Sequence, residues 1–274
     1  MTWEVTAAVL GAALLHAGWN VMVKSGADKE LESYTIAASS GLIALLLLPF
    51  LPLPAAAAWP WVAASVAVHI LYFICLAGAY RWGELSYVYP VMRGGGPLIV
   101  AVAGALALGE VLPPKETLGV LLISAGILAF ASGRHERRAT LFAIANAAVI
   151  AAYTLIDAQG ARLSQAPVSY TLWFFALNGL AVSFFAIWRR AGAFPRYLRA
   201  GGFKLFLGGS FALGAYAIAL WAMTRAPVAL VAALRETSVI FAALLAAVFL
   251  VEKLTRRRVA ATGAVLAGLI ALRL

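Results

Sequence analysis

Two arginines interrupt long apolar stretches of this chain. Arg93 stands just before a Gly-Gly-Gly-Pro run, and Arg235 is followed by Glu236. An arginine at the centre of a membrane helix costs about 2.5–3.5 kcal/mol on insertion scales, so each needs a partner or a function. Because a guanidinium can hold a carboxylate or phosphate with two parallel hydrogen bonds, the arginines predict binding of an acidic small molecule.

A purely structural role for the arginines is the alternative. Arg93 would then pair with Glu236, and Arg235 would meet backbone carbonyl groups, so that both side chains stabilise the helices without touching a substrate. The two roles are compatible, and the sequence leaves both open.

The run Gly94, Gly95, Gly96 and Pro97 is unfavourable inside a helix. Each glycine costs about 1 kcal/mol relative to alanine, and the proline removes a hydrogen bond and kinks the helix. We expect this run to let the backbone approach a substrate or to flex during gating. Close packing against a neighbouring helix is an equally good interpretation.

Polar stripes on two further apolar segments add candidate site residues. They comprise His16, Trp19 and Asn20 near the N-terminus, and Tyr153, Thr154 and Asp157 in the middle of the chain. Such stripes are unfavourable in lipid, so we expect them to face the protein interior and line a path, with Asp157 or Glu236 as a proton acceptor. Hydrogen bonding between helices without substrate contact is the alternative.

Aromatic residues complete the candidate site. Tyr72, Tyr89 and Trp173 are predicted to lie deep enough to line it, whereas most other aromatic side chains are assigned to the membrane interfaces. We expect Glu110 and Glu252 to cap or tie the loops that they begin. The motifs of zinc proteases, serine hydrolases and phosphate-binding loops are missing from the sequence, so an enzyme, a metal site and a cofactor are not expected.

The composition indicates a membrane protein. Of the 274 residues 64% are hydrophobic and 12% are charged, with a mean hydropathy of +0.94. The net charge of +10 comes from short clusters between apolar stretches, which favours a bilayer over nucleic acid as the partner. The single cysteine, Cys75, lies in an apolar stretch and excludes an intrachain disulfide.

The apolar stretches are continuous rather than alternating, so they predict membrane-spanning helices and not barrel strands. We place ten, at 3–23, 34–53, 60–80, 85–108, 116–132, 139–157, 168–188, 204–224, 228–250 and 257–274. The fold class is therefore all-α, and the predicted connections are too short to hold a separate soluble domain.

An internal repeat relates the two halves, 1–133 and 138–274. An offset of 142 residues aligns Arg93 with Arg235, Glu110 with Glu252 and Gly126 with Gly268. Further upstream, SYT at 33–35 matches SYT at 169–171. Five helices in each half make the repeats inverted in the membrane, which places the two arginines on either side of the midplane.

The distribution of positive charge predicts the orientation. Arg93 and Arg235, which lie within predicted helices, are left out of the count. Of the other lysines and arginines, one set of helix ends carries 15 and the opposite set carries 4. By the positive-inside rule the richer set is cytoplasmic, which places both termini outside the cytoplasm of a bacterial inner-membrane protein.

Three segments resemble bacterial EamA-type members of the drug/metabolite transporter superfamily. They are HAGWN at 16–20, YPVMRG at 89–94 and APVALVAALRETS at 226–238. The resemblance covers the whole chain and implies two five-helix repeats, alternating access through a central cavity, and a small-molecule substrate. Many known members keep both termini in the cytoplasm, so the predicted orientation is a departure from that family.

The sequence thus predicts a secondary transporter of small amphoteric or anionic metabolites, with amino acids and export as the first expectation. A phosphonate, a nucleotide sugar or a lipid-linked substrate is the alternative within transport. A membrane enzyme or scaffold is a remote one. The sequence does not decide between a monomer and a homodimer.

Overall fold

The computed structural model describes residues 1–132, 136–249 and 256–272, and these ranges contain helices and no strand. The helices are α1 (Trp3–Ser25), α2 (Lys29–Leu47), α3 (Trp59–Trp82), α4 (Leu85–Leu108), α5 (Pro114–Leu128), α6 (Arg137–Leu163), α7 (Pro167–Arg190), α8 (Phe194–Met223), α9 (Val228–Arg235), α10 (Ser238–Phe249) and α11 (Arg256–Ala271). Seven helical segments, those of α1–α4 and α6–α8, are long and apolar enough to cross a membrane. The described residues are therefore all-α, as predicted, and their apolar helices favour a multi-pass membrane protein, while the count of ten crossings stays a prediction.

Two helices begin earlier than predicted, α2 at Lys29 instead of residue 34 and α8 at Phe194 instead of residue 204. The side chain of Asp28 caps α2 by accepting the backbone N–H groups of Glu30 and Leu31, both at 3.1 Å. Charged residues that resembled a loop in the sequence are therefore the first turn of a capped helix. In α8 about two helical turns, residues 194–201, precede a kink at Gly202, whose φ of 46° is readily available only to glycine.

The predicted ninth helix is wrong as a single element, because α9 ends at Arg235 and α10 begins at Ser238. At the break, the backbone N–H groups of Glu236 and Thr237 donate to carbonyls three residues earlier. The Thr237 hydroxyl also donates to the Leu234 carbonyl at 2.7 Å. Short polar side chains that bind the backbone locally compete with the regular helical pattern.

By contrast, α4 continues as a helix through Pro90 and Pro97, so the glycine run does not interrupt it. A Cβ on Gly94 would lie 2.8 Å from Leu128 Cγ of α5, and one on Gly96 would lie 3.2 Å from Ile150 Cγ2 of α6. The glycines therefore allow close packing of three helices, which is the packing interpretation of the run. Their role in gating stays a prediction.

Helix pairing follows a regular pattern. α2 packs on α7 and α5 on α11, while α3 packs on α6 and α1 on α8. In the proposed repeat, the counterparts are α1 and α6, α2 and α7, α3 and α8, and α5 and α11. When every helix is replaced by its counterpart, the same four pairs are obtained. The pattern is the one that two inverted repeats would produce, although the repeats themselves stay a prediction.

Ion pairs join the helices at one end of the bundle. Arg190 of α7 contacts Asp28 at 2.6 Å and Glu30 at 2.8 Å, and Lys204 of α8 contacts Glu32 at 2.7 Å. The Leu31 backbone N–H and then the Arg190 guanidinium lower the pKa of the Asp28 carboxyl below its ordinary value. Stabilisation from this carboxylate is present at neutral pH and is lost as the pH falls through the lowered pKa.

Just after the C-terminal end of α4, Glu110 links the two halves of the chain. Gly109, with a φ of 68°, ends α4 and redirects the backbone. One Glu110 oxygen pairs with Arg162 at 2.5 Å, and the other accepts the Val228 N–H at 2.7 Å. Arg162 Nε also donates to the Met223 carbonyl at 2.9 Å. The prediction that Glu110 caps or ties a loop is confirmed, whereas Glu252 lies outside the described residues.

Gly179 provides a test of the close contact between α2 and α7. A Cβ at this position would lie 2.7 Å from the Cα of Gly41 and 3.0 Å from the Ala37 carbonyl oxygen, both backbone atoms. We expect Gly179→Ala to separate the helices and to lower the free energy of unfolding by about 1–3 kcal/mol. Thermal unfolding in detergent measures the change. Gly11→Ala is the matched control, because no atom lies within 4 Å of its added methyl group.

Glu110→Ala should also destabilise the fold. The substitution removes the carboxylate from Arg162 and leaves the Val228 N–H without its acceptor. We expect a loss of about 1–3 kcal/mol in the free energy of unfolding, measured by the same thermal assay. Glu4→Ala, at an exposed position in the first turn of α1, should change it by less than about 0.5 kcal/mol. Equal stability of the two variants would contradict this role of Glu110.

Candidate functional site

The two arginines that the sequence singled out line one interior cavity. Its walls come from α4, α6 and α9, and its polar members are Arg93, Tyr153, Thr154, Arg235 and Glu236. Gly96 and Pro97 of the glycine run also line it. The helices thus place side chains that are 142 residues apart in the chain around a common space, as the repeat alignment predicted.

Arg93 and Glu236 form an ion pair across the interface between α4 and α9. The guanidinium Nη2 lies 2.9 Å from Glu236 Oε1, and the two side chains are 12% and 7% exposed. Arg93 Nε and Glu236 Oε2 are buried without a hydrogen-bond partner among the described residues. The interpretation that Arg93 pairs with Glu236 is confirmed, and the pair still has unused hydrogen-bonding capacity.

Arg235 differs from Arg93 in its partners. Its guanidinium carbon lies 5.1 Å from the ring centroid of Tyr216, a distance typical of a cation–π interaction. No carboxylate in the described part of the chain forms an ion pair with Arg235. The expected hydrogen bonds to backbone carbonyls are likewise not found there. Arg235 is therefore a cation in the cavity wall with donors available to an anion.

A second cavity lies on the other side of the ion pair. Its polar lining comprises His16 and Asn20 of α1, Tyr89 of α4 and Ser238 of α10. Tyr89 precedes Arg93 by one turn, whereas the first cavity extends past Arg93 to Val100. The Arg93–Glu236 pair thus separates two spaces along α4.

The predicted stripe on α1 is partly satisfied within its own helix. Asn20 Nδ2 donates to the His16 carbonyl at 2.7 Å, and Trp19 packs edge-on against the His16 ring at 5.1 Å. The ring and amide still line the second cavity. The structure therefore brings His16 and Asn20 to the second cavity. Trp19 does not line this cavity but packs against His16.

Both cavities are small. The volume open to the centres of water molecules is about 10 Å³ in the first and about 60 Å³ in the second. The first therefore has room for about one water molecule. In this conformation neither cavity has room for a metabolite, which would require the surrounding helices to move apart.

Asp157 lies one turn beyond Tyr153 and Thr154 in a polar cluster behind the first cavity. It is fully buried and accepts hydrogen bonds from the hydroxyl groups of Tyr170 at 2.9 Å and Tyr216 at 2.5 Å. The ring of Tyr216 is also the one that Arg235 covers. Asp157 is thus connected to the cavity wall through a single side chain.

The predicted aromatic residues divide between the site and the surrounding bundle. Tyr72 packs against Tyr153 with ring centroids 6.0 Å apart, next to the first cavity. Trp173 instead packs against Trp59 at 5.0 Å and lines neither cavity. Its indole Nε1 is buried without a hydrogen-bond partner in the described structure.

Sequence reasoning did not select Tyr216 or His69. Tyr216 contacts both Arg235 and Asp157, and the His69 ring lies 4.3 Å from that of Tyr153. A buried aspartate needs donors and a buried tyrosine hydroxyl needs an acceptor. This requirement predicts that some tyrosine binds Asp157, but it does not identify which of the several tyrosines does so.

Comparison with known proteins places this architecture in a family. A solved crystal structure of a protein superposes on 98% of this chain and 95% of its own, with a TM-score of 0.73 at 17% sequence identity, which shows a common fold. Comparison with curated proteins finds no match. Residues 137–274, half of the chain, match the EamA-like transporter family. The chain therefore belongs to the EamA-like transporter family of the drug/metabolite transporter superfamily, and it is a multi-pass membrane transporter.

Proposed function

We propose that this protein is a secondary transporter of small amphoteric metabolites, with amino acids as the first candidates. The observation that carries the proposal is Arg235, a cation that lines a small interior cavity and forms no ion pair with a carboxylate among the described residues. Beside it, Glu236 Oε2 is buried without a hydrogen-bond partner. An α-amino acid carries the two groups that would satisfy both side chains, a carboxylate for Arg235 and an ammonium for Glu236.

The break between α9 and α10 supports a site at this level. Arg235 is the last residue of α9, and Ser238 is the first of α10. Helix ends leave backbone groups without intrahelical partners, and the end of α9 and start of α10 carry partial charges of opposite sign. Transporters of other folds use such broken helices at the membrane midplane to bind charged substrates.

Alternating access by two inverted halves is the proposed mechanism. The halves would be residues 1–133 and 138–274, and the family match begins near the start of the second one. The small volume of both cavities supports this mechanism, because a metabolite could enter and leave them only if helices move. We propose a bacterial inner membrane, termini outside the cytoplasm, and export as the direction.

Phosphonates, nucleotide sugars and lipid-linked substrates are less well supported. Two free arginines would suit a dianionic phosphate. Glu236, however, pairs with Arg93, so that Arg235 is the cation without an ion-pair partner in the described cavity. A single carboxylate matches this arrangement better.

Arg235→Ala tests the proposed anion contact. We expect uptake of labelled amino acids into proteoliposomes to fall about tenfold or more, because a hydrogen-bonded charge contributes roughly 1.5–3 kcal/mol. Arg93→Ala should also reduce transport, since it leaves the buried Glu236 without its partner. Arg225→Ala is the matched control: Arg225 also covers an aromatic ring, at 4.3 Å from that of Trp221, but it is exposed.

Wild-type transport by both Arg235→Ala and Arg93→Ala would exclude a substrate role for the arginines. A loss of transport in Arg225→Ala as large as that in Arg235→Ala would indicate a general effect on folding. Thermal unfolding of the three variants in detergent separates the two explanations.

Glu236→Gln tests whether the substrate is amphoteric. The substitution removes the negative charge that we assign to the substrate ammonium and keeps the side-chain shape. We expect transport of amino acids to fall at least about fivefold more than transport of the matching carboxylic acids without the amino group. Equal losses for the two substrate classes would show that Glu236 does not recognise the ammonium.

A further inference from the structure

Asp157 is a buried carboxyl group that the proposed substrate contacts do not use. It is fully buried in the middle of the bundle, and its oxygens accept the hydroxyl groups of Tyr170 and Tyr216. No lysine or arginine pairs with it in the described parts of the chain. An ionised carboxylate without a counter-ion is unfavourable at membrane depth, and ionisable groups there mark ion or proton pathways in many transporters.

The surroundings of Asp157 come from several helices. The ionisable groups that face it are His69 from α3, Tyr170 from α7, Tyr216 from α8 and, on α6 itself, Tyr153. Arg93 of α4, Arg235 of α9 and Glu236, which directly follows α9, line the neighbouring cavity. His69 Nδ1 lies 2.9 Å from the Ser65 carbonyl oxygen, which fixes its ring beside the cluster.

Tyr216 connects this cluster to the proposed substrate site. Its hydroxyl donates to Asp157 Oδ2, and its ring lies 5.1 Å below the Arg235 guanidinium carbon. A hydrogen bond to an ionised acceptor is roughly twice as strong as one to a neutral acceptor. A proton on Asp157 therefore weakens the contact that positions the Tyr216 ring, and with it the contact that positions Arg235.

We propose that Asp157 is a proton-binding site that is coupled through Tyr216 to the substrate site at Arg235, and that the pH gradient thereby drives transport. This inference rests on the proposed transport function. The proton comes from water, binds one carboxylate oxygen of Asp157 and returns to water, so that no other reactant is needed.

Infrared spectroscopy of the purified full-length protein tests the proton site without a substrate. As the pH is lowered, we expect a carbonyl band of a protonated carboxylic acid to appear in the wild type and to be missing in Asp157→Asn. Tyr216→Phe should shift this band, because it removes a hydrogen bond from Oδ2. Asp28→Asn is the control and should retain it. Identical pH-difference spectra for the wild type and Asp157→Asn would overturn the proposal.

Transport measurements test the coupling. Proteoliposomes receive a mixture of labelled L-amino acids, and accumulation under an imposed pH gradient is compared with exchange at equal pH. We expect Asp157→Asn to lose gradient-driven accumulation by about tenfold while exchange stays within about threefold of the wild type. Tyr216→Phe should lose gradient-driven accumulation as well, because it removes the hydrogen bond that links Asp157 to the ring beside Arg235. Tyr34→Phe is the matched control, because it removes a tyrosine–carboxylate hydrogen bond to Glu30 at the end of the bundle.

Gradient-driven accumulation by Asp157→Asn at the wild-type level, or wild-type transport that ignores the gradient, would overturn the coupling. Failure of the wild type to transport any amino acid in either assay would instead contradict the proposed function. The infrared result on Asp157 is unaffected by that outcome, so the two failures are distinguishable.

Discussion

The structure depends on how charge is kept inside a bundle that faces lipid. A lone buried ion is costly, and breaking a buried pair by removing one partner is strongly destabilising. Arg93 and Glu236 neutralise each other by forming an ion pair between α4 and the end of α9. The solution is incomplete, because Arg235 has no carboxylate partner in the described chain and Glu236 keeps one oxygen free. The unpaired Arg235 guanidinium and the free Glu236 oxygen lie in adjacent residues, and a zwitterionic ligand carries one group that could pair with each.

The two proposed halves contribute to this site in different ways. In α4 the glycine run keeps the helix intact and brings it close to α5 and α6. At the aligned position of the other half, Glu236 and Thr237 end one helix before the next begins. One side of the site is therefore a continuous packed helix that carries Arg93, and the other is a helix break that carries Arg235 and Glu236. A substrate with distinguishable ends fits such a site better than a symmetric ion does.

Much of this arrangement could be predicted from the sequence, since apolar length and internal alignment depend on local composition. The helices of the first half, the prominence of Arg93 and Arg235, and the tie made by Glu110 all follow from charges placed in apolar surroundings. The break at Glu236 was missed because the apolar residues on either side of the polar run 235–238 together have the length of a single membrane span. Hydropathy counts side chains and does not register local hydrogen bonds such as that of Thr237 to Leu234.

The connection between Asp157 and Arg235 was beyond sequence reasoning for a different reason. It depends on Tyr216, which lies 59 residues from Asp157 in the chain and which resembles any other tyrosine of an apolar helix. Which tyrosine meets a buried carboxyl is decided by the crossing of α6 and α8, and this crossing is set by packing rather than by periodicity.

The ion pair also constrains the proposed movement. Arg93 belongs to the first half and Glu236 to the second, and one cavity lies on each side of their contact. A motion that pulled α4 away from α9 would leave two unpaired charges, at a cost of about 3–5 kcal/mol. In the alternating access that we propose, rocking about the pair itself would keep this contact. A bound ammonium group could instead replace Arg93 on Glu236, in which case substrate binding would release the halves. In the first geometry the pair is a pivot and in the second it is a latch, so in both the Arg93–Glu236 contact determines how the two halves move relative to each other.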